Sequence, residues 1–262
     1  MTGATLLSDT DPFPVRLQEP DSPSNILVVC DHAGNLIPIA LHDRNVSSAD
    51  LSTHIAIDIS AYAVAVRLAE NLNSTLVSQR YSRLVVDMNR PTSSNQLMPA
   101  QSDEVRIPFN QDLDDTERQA RLDEIYMPYH NEIGRQLDKI GESAVLVAMH
   151  SFTPKLRNAP ERIWHVDLMT RTHSALAGNL QQQLEIEFPD LQIGQGKVFQ
   201  ISDKTDFTVP FHGESRKIPN ISIEVRNDLL QSESDIDRWA SVLTRCIPES
   251  LASSWRAESQ TA

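Results

Sequence analysis

Cysteine is almost missing from this chain. Cys30 and Cys246 are the only two among 262 residues, and their distance in sequence leaves neither a disulfide framework nor a cysteine-based zinc site to be built from them. Cys30 closes an apolar run, the usual setting of a buried free thiol. Basic charge is scarce too: 23 Lys and Arg stand against 36 Asp and Glu, a net charge of −13. Nucleic acid and anionic membrane surfaces both reward clustered Lys and Arg, so neither is expected as a partner, and the negative excess serves solubility. Positive charge placed locally in a cleft can still receive an anionic substrate. No apolar run is long enough to span a bilayer. The opening stretch, MTGATLLSDTDPFPVRLQEPDSPS, has neither a basic n-region nor an apolar h-region, which makes the cytoplasm the expected location. Three catalytic signatures are absent as well: the G-x-S-x-G nucleophile elbow, the glycine-rich phosphate loops and the H-E-x-x-H helix.

The chain does hold an ordinary globular share of hydrophobic residues, 40%, and a length that suits either one large α/β domain or two small ones. We expect an irregular N-terminal segment over residues 1–24 and a single domain over 25–256. Asn25–Asp31 (NILVVCD) is a continuous Val- and Ile-rich run, the pattern of a strand buried on both faces. Gly34, just beyond it, reads as a turn glycine with positive φ. Leu51–Leu72 has helical periodicity, with Ser52 as N-cap and Ile55, Ile59, Tyr62, Val66 and Ala69 on one face. Ser74–Ser78 and Arg83–Met88 are β-rich, and Pro91–Asp112 reads as a long surface excursion.

Asp114–Ile140 predicts a long amphipathic helix capped by Asp114 or Asp115, stopped by Gly141 and kinked or divided at Pro128. Further strands are expected at Ser143–His150, Ile163–Met169, near Leu191 and at Ile221–Arg226. Helices are expected at Ser174–Glu187 and at Ser232–Trp255, the latter interrupted at Pro248, with Ser202–Lys217 a polar loop. Strands alternating with helices imply an α/β fold with a mostly parallel mixed sheet covered by helices on both faces. Ligands of such sheets bind beyond the carboxyl ends of the strands.

Four of the apolar strands end in groups of catalytic type: Asp31-His32, Asp87-Met88-Asn89-Arg90, His150, and Glu224 with Arg226. A parallel sheet gathers them along one edge. A carboxylate inside ISIEVR is costly to bury unless a cation or hydrogen-bond donors meet it. Imidazole nitrogen and carboxylate oxygen together suit a hydrolytic zinc ion that keeps one position open. A second carboxylate would serve as general base, and arginine would neutralise an oxyanion or a substrate carboxylate. Asp31 and Asp87 could each orient a histidine or serve a turn or an ion pair.

These residues lie in segments that resemble the N-formylglutamate amidohydrolase family, which shares the architecture of the zinc carboxypeptidases and aspartoacylases. The segments are VVCDHAGNLIP, STHIAIDISAYAVAVRLAE, YSRLVVDMNRP, VAMHSFTP, IWHVDLM and TDFTVPFHGESRKIPNISIEVRNDLL, in the family's order from about Ile26 to Leu230. The resemblance implies a zinc-exopeptidase-like fold and one divalent metal, Zn2+ by analogy, held by His32 and His150. It implies Asn89 and Arg90 as the grip on a substrate carboxylate, Arg83 as the oxyanion-stabilising arginine and Glu224 as the general base. His165, His212 and Arg226 fall in family motifs and are expected to line the pocket. One position departs from the superfamily pattern: a Glu stands three residues after the first histidine in carboxypeptidases and aspartoacylases, and here it is Asn35. Asp58 is our choice of third ligand, over His54. The expected substrate is a small N-acyl amino acid, N-formylglutamate or similar. A carboxypeptidase-like or other N-acyl-amino-acid hydrolase stands as an alternative, as does a catalytically weak relative that binds an acidic metabolite.

Overall fold

The computed structural model describes residues 5–44 and 46–259. In chain order its strands are β1 (Val15–Gln18), β2 (Ile26–Cys30), β3 (Thr75–Gln79), β4 (Gln101–Ser102), β5 (Val105–Arg106), β6 (Val145–Phe152), β7 (Val166–Met169), β8 (Ile193–Gln195) and β9 (Asn220–Arg226). Its helices are α1 (Ser48–Leu51), α2 (Ala61–Asn71), α3 (Asp115–Arg121), α4 (Met127–Ile140), α5 (Ser174–Glu187) and α6 (Glu233–Ser259). Seven strands form one sheet in the order β1-β3-β2-β6-β9-β7-β8, and β4 and β5 make a separate hairpin. The central run β3-β2-β6-β9 is parallel, β1 pairs antiparallel with β3, and β7 pairs antiparallel with β9 but parallel with β8. The mostly parallel α/β sheet expected from the sequence is the one observed.

The period-2 geometry of strands explains why β2 could be read as buried throughout. Ile26, Val28 and Cys30 face a core with α2, α5 and α6, where Leu68, Leu180 and Leu243 are fully buried. Leu27 and Val29 face a second core with α4, built on Tyr129, Ile133 and Leu137. Each face of the sheet therefore has its own helical layer, and both faces of the central strands are dry. No described helix is long and apolar enough to cross a membrane.

Several local expectations are corrected. Within the segment read as irregular, Val15–Gln18 pairs with β3 as the edge strand β1. The predicted helix over Leu51–Leu72 begins only at Ala61; residues 52–60 form turns between α1 and α2. Arg83–Met88 is buried but is not a strand. The Leu84 carbonyl accepts from Asn110 Nδ2 at 2.8 Å and the Val85 carbonyl from Arg121 Nη1 at 3.0 Å, so side chains replace a neighbouring strand. The Pro91–Asp112 excursion is not purely a surface segment either, because Leu97, Ile107 and Phe109 are fully buried. Asp114 does cap α3, accepting from Glu117 N at 2.8 Å. Between α3 and α4 the helix widens into a π-helical turn at Leu122–Tyr126. There the Met127 amide bonds Leu122 O, which opens the register just before Pro128 and accommodates its ring. α6 runs through Pro248 unbroken: the lost hydrogen bond is outweighed by a face that buries Trp239, Leu243, Ile247 and Leu251.

Gly34 does not have a positive φ; among the described residues the glycines that do are Gly141 and Gly196. Its requirement is space. A Cβ at Gly34 would meet the Arg80 carbonyl oxygen at 2.0 Å, where the turn after β2 crosses the chain leaving β3 and Leu36 N donates to Arg80 O at 3.2 Å. Gly34→Ala should lower the denaturant midpoint by an amount equivalent to about 1–3 kcal/mol, the usual cost of overpacking a tight site. A variant with an unchanged midpoint would show that the crossing is not tight.

Candidate metal centre and active-site cavity

The sheet itself delivers three of the site residues. His32 follows β2 by two residues, His150 lies in β6, and Glu224 lies on β9 directly across from His150 in the parallel register. Asp58 comes from the turns before α2. Its amide donates to the His32 carbonyl at 3.1 Å, the Ser151 hydroxyl holds Ile59 O at 2.7 Å, and the Ser82 hydroxyl holds Ala56 O at 2.8 Å. Ser60 then takes a left-handed φ of 63° to start the helix, the kind of backbone strain that surrounding structure must enforce.

These constraints bring donor atoms together. Asp58 Oδ2 lies 3.2 Å from His32 Nδ1 and 2.8 Å from His150 Nδ1. The ligand atoms of His32, Asp58 and His150 all fall within 4.8 Å of one another, and all three residues are buried. The far ring nitrogens face other carboxylates. His32 Nε2 is 2.8 Å from Asp87 Oδ1, and His150 Nε2 is 3.3 Å from Asp31 Oδ2 without hydrogen-bond alignment. Asp31 is held in turn by the Tyr129 hydroxyl, which donates to Oδ1 at 2.8 Å. Carboxylates behind both Nε2 atoms favour protons there and leave the Nδ1 lone pairs free toward Asp58.

The electrostatics are those of a site short of positive charge. Burial alone would push His32 and His150 down. For His32, Asp87 and Asp58 overcome burial and Arg83 to raise it; for His150, Glu224, Asp31 and Asp58 raise it well above the ordinary value. Burial would raise Asp58, but His32 and His150 outweigh it and hold its pKa low. Asp87 is likewise pushed well below the usual range, burial being overcome by Arg83, His32 and Arg90. The Asp58 carboxylate and two imidazoles, backed by Asp31 and Asp87, make a donor set that could hold a metal ion.

Glu224 behaves differently. Burial drives its pKa up to about 7, with Asp58 adding to the rise and His150 opposing it. Among the described residues no donor hydrogen-bonds its carboxylate. It lines a cavity of about 310 Å3 together with His32, Asp58, His150, Arg83, Asn89 and Arg90, so the structure brings together seven of the ten residues singled out in the sequence. Arg83 grips Asp87 through Nε at 3.0 Å and Nη2 at 2.6 Å and reaches Asp58 Oδ1 at 3.4 Å. Asn89 Oδ1 accepts from the amides of Phe207 and Thr208 at 3.0 and 3.1 Å, which fixes the segment after Asp206. The other candidates for the third donor are engaged elsewhere: Asn35 donates to Leu51 O, and His54 pairs with Asp103 at 3.2 Å.

Three expected pocket residues do not line the cavity. His212 is buried in a π-helical turn, stacked on His130 with nitrogens 3.0 Å apart, and His130 Nε2 meets the Met88 carbonyl. Burial pushes His130 down to about 4 and, with His130 beside it, His212 down to about 3, so the pair is neutral packing. His165 uses Nδ1 to accept the Gln192 amide at 2.9 Å. Arg226 forks onto Asp228 and donates to the Arg162 carbonyl at 2.8 Å. Conversely, Asp103, Arg162 and Phe199 line the cavity without having been singled out in the sequence, as does His54, weighed there only as a third ligand. They come from the loops after Ser52, Ala100, Phe152 and Gln195, where no periodicity marks a side chain as inward-facing.

A model of the N-formylglutamate amidohydrolase family matches residues 24–231. The chain belongs to that family. It is 31% identical to an N-formylglutamate deformylase of Pseudomonas putida over 48% of this chain and 51% of the relative, so the match spans about half of that protein's length. It also resembles a crystal structure of a gene product of Agrobacterium tumefaciens, with a TM-score of 0.87 and 31% identity over 95% of this chain and 98% of the other. The N-formylglutamate amidohydrolase of Ralstonia eutropha shares the fold at a TM-score of 0.73 with 14% identity, covering 92% of this chain and 99% of that one. The mostly parallel α/β sheet with helices on both faces expected from the sequence is observed.

Proposed function

We propose that this chain is a metal-dependent amidohydrolase that removes the formyl group from an N-formyl amino acid such as N-formylglutamate. The observation that carries this reading is the convergence of His32 Nδ1, Asp58 Oδ2 and His150 Nδ1 in one cavity with the unpartnered carboxylate of Glu224. His32, Asp58 and His150 would hold a single divalent ion, Zn2+ by its preference for nitrogen and carboxylate donors. When bound, such an ion supplies Lewis acidity at the formyl carbonyl and lowers the pKa of water.

The chain's own residues do the rest. Glu224 takes a proton from the attacking water and hands it to the departing amine, which avoids expelling a free amide anion. The Arg83 guanidinium, steered by Asp87, offers positive charge to the oxygen that becomes negative as the tetrahedral centre forms. Arg90 receives the substrate's α-carboxylate, while Asn89, expected to share that grip, uses its Oδ1 to hold the Phe207 and Thr208 amides next to Asp206, which lines the cavity. Asp31 and Asp87 keep the two imidazoles in one tautomer and orientation. A cavity of about 310 Å3 suits a small-molecule substrate.

The test is direct. Purified protein incubated with zinc and freed of excess should contain about one zinc per chain, release formate from N-formyl-L-glutamate, and lose that activity on chelation and regain it when zinc is returned. Full turnover by metal-free protein would overturn the metal assignment, and no formate release by the zinc-loaded protein would overturn the activity.

A further inference from the structure

Three arginines line the cavity, and they are not equivalent. Arg83 is held in ion pairs with Asp87 and Asp58. Arg90 meets only carbonyl oxygens, those of Asn89 and Thr205. Arg162, in the loop between β6 and β7, donates from Nη1 to the Thr153 carbonyl at 2.8 Å and makes no ion pair among the described residues. Its guanidinium lies 5.5 Å from the Phe152 ring centroid and 5.1 Å from that of Phe199. Burial lowers its pKa, with Glu224 and Asp103 pulling the other way.

The position of this group is constructed. Phe152 ends β6, and Phe199 is fixed by a buried carboxylate: Asp167 on β7 accepts the amides of Lys197, Val198 and Phe199 at 2.8, 2.9 and 2.9 Å. The two rings meet edge to face at 5.8 Å. The result is a planar cation set against two aromatic faces, with Nε and Nη2 left without acceptors among the described residues. A half-buried guanidinium in that state gains most from a bidentate carboxylate.

We infer that Arg162 is a specificity-determining residue that binds a second carboxylate, the side-chain carboxylate of an acidic N-acyl amino acid. This rests on the function proposed above and assigns the two unpaired arginines to the two ends of one dicarboxylate, Arg90 to the α-carboxylate and Arg162 to the distal one. A substrate with a neutral side chain satisfies only the first.

The experiment compares N-formyl-L-glutamate with N-formyl-L-glutamine, which has the same shape and no distal charge, on the zinc-loaded wild type, Arg162→Gln and Arg162→Lys. Hydrogen bonds between charged groups contribute about 1.5–3 kcal/mol, so Arg162→Gln should reduce the glutamate-to-glutamine ratio of kcat/KM by roughly 10- to 100-fold, chiefly through KM. Arg162→Lys, keeping the charge without the fork, should recover part of that ratio. An equal loss on both substrates would mean a structural role and overturn the assignment.

A binding readout separates this inference from the activity it rests on. Calorimetric titration with glutarate and with butyrate should show a preference for the dicarboxylate in wild type that Arg162→Gln abolishes. If no N-formyl amino acid is hydrolysed but that preference and its loss are seen, the amidohydrolase reading fails and the carboxylate subsite stands. If the preference is the same in both proteins, the subsite is refuted.

Discussion

Glu224→Gln should lower kcat/KM for the formylated substrate by about 10²- to 10⁴-fold, the contribution of a positioned general base, while leaving zinc content and fold in place. The substitution preserves shape and removes only the ability to take a proton. Glu224 is not part of the His32–Asp58–His150 group, so stoichiometric metal should remain. Folding should not suffer either. Glu224 is 8% exposed, with no hydrogen-bond donor to its carboxylate among the described residues and a pKa driven up to about 7 by burial. Replacing a poorly compensated buried acid with a neutral amide is expected to hold or raise Tm. Low turnover with normal metal and unchanged Tm is therefore the signature of a base. Activity within tenfold of wild type would move the proton transfer to another group. Loss of zinc together with activity would place Glu224 among the ligands.

Arg121→Met should destabilise the protein by about 2–4 kcal/mol, because the loss lies in acceptors left bare. Arg121 is fully buried and has no carboxylate partner among the described residues. It donates from Nη1 to the Val85 carbonyl at 3.0 Å and to Asn110 Oδ1, and from Nη2 to the Phe109 carbonyl at 2.7 Å. Burial lowers its pKa to about 10, so it remains a cation at neutral pH, solvated by carbonyl dipoles. Methionine fills the volume but satisfies none of the three oxygens. Removing a buried charge returns some desolvation energy, which keeps the net cost below the sum of three orphaned acceptors. At roughly 2–4 °C per kcal/mol for a chain of this size, Tm should fall by roughly 5–15 °C. Because Val85 sits between Arg83 and Asp87, activity should also fall before the fold is lost. An unchanged Tm would show that the cluster is dispensable.

Arg121 also shows where sequence patterning stops. Its positions of contact are 12 and 36 residues away, and nothing in DTERQAR distinguishes a buried arginine from a solvated one on a helix face. The same limit applies to Arg83–Met88, whose apolar pattern correctly implied burial but not a strand. Burial is written in residue type, whereas a strand needs a neighbouring strand to pair with, and here the side chains of Asn110 and Arg121 donate to its carbonyls instead. His165, His212 and Arg226 fell within family segments yet face other partners, since membership of a motif does not say which way a side chain points. Arg162 was passed over because the loop that carries it has no period to mark its inward face.

Much of the rest was legible. The buried Val- and Ile-rich runs and their alternation with helices specify a parallel sheet through burial on both faces, and a parallel sheet delivers its strand ends to one edge. By itself, then, the sequence determined the fold class, the strands that carry His150 and Glu224 and end just before His32, and the segments shared with the amidohydrolase family. Only the tertiary structure decided that Asp58, from turns rather than a helix, closes on both histidines while Asn35 bonds a distant carbonyl. Those choices depend on hydrogen bonds between residues tens of positions apart, such as Ser151 to Ile59 and Ser82 to Ala56, and such contacts exist only once the chain is folded.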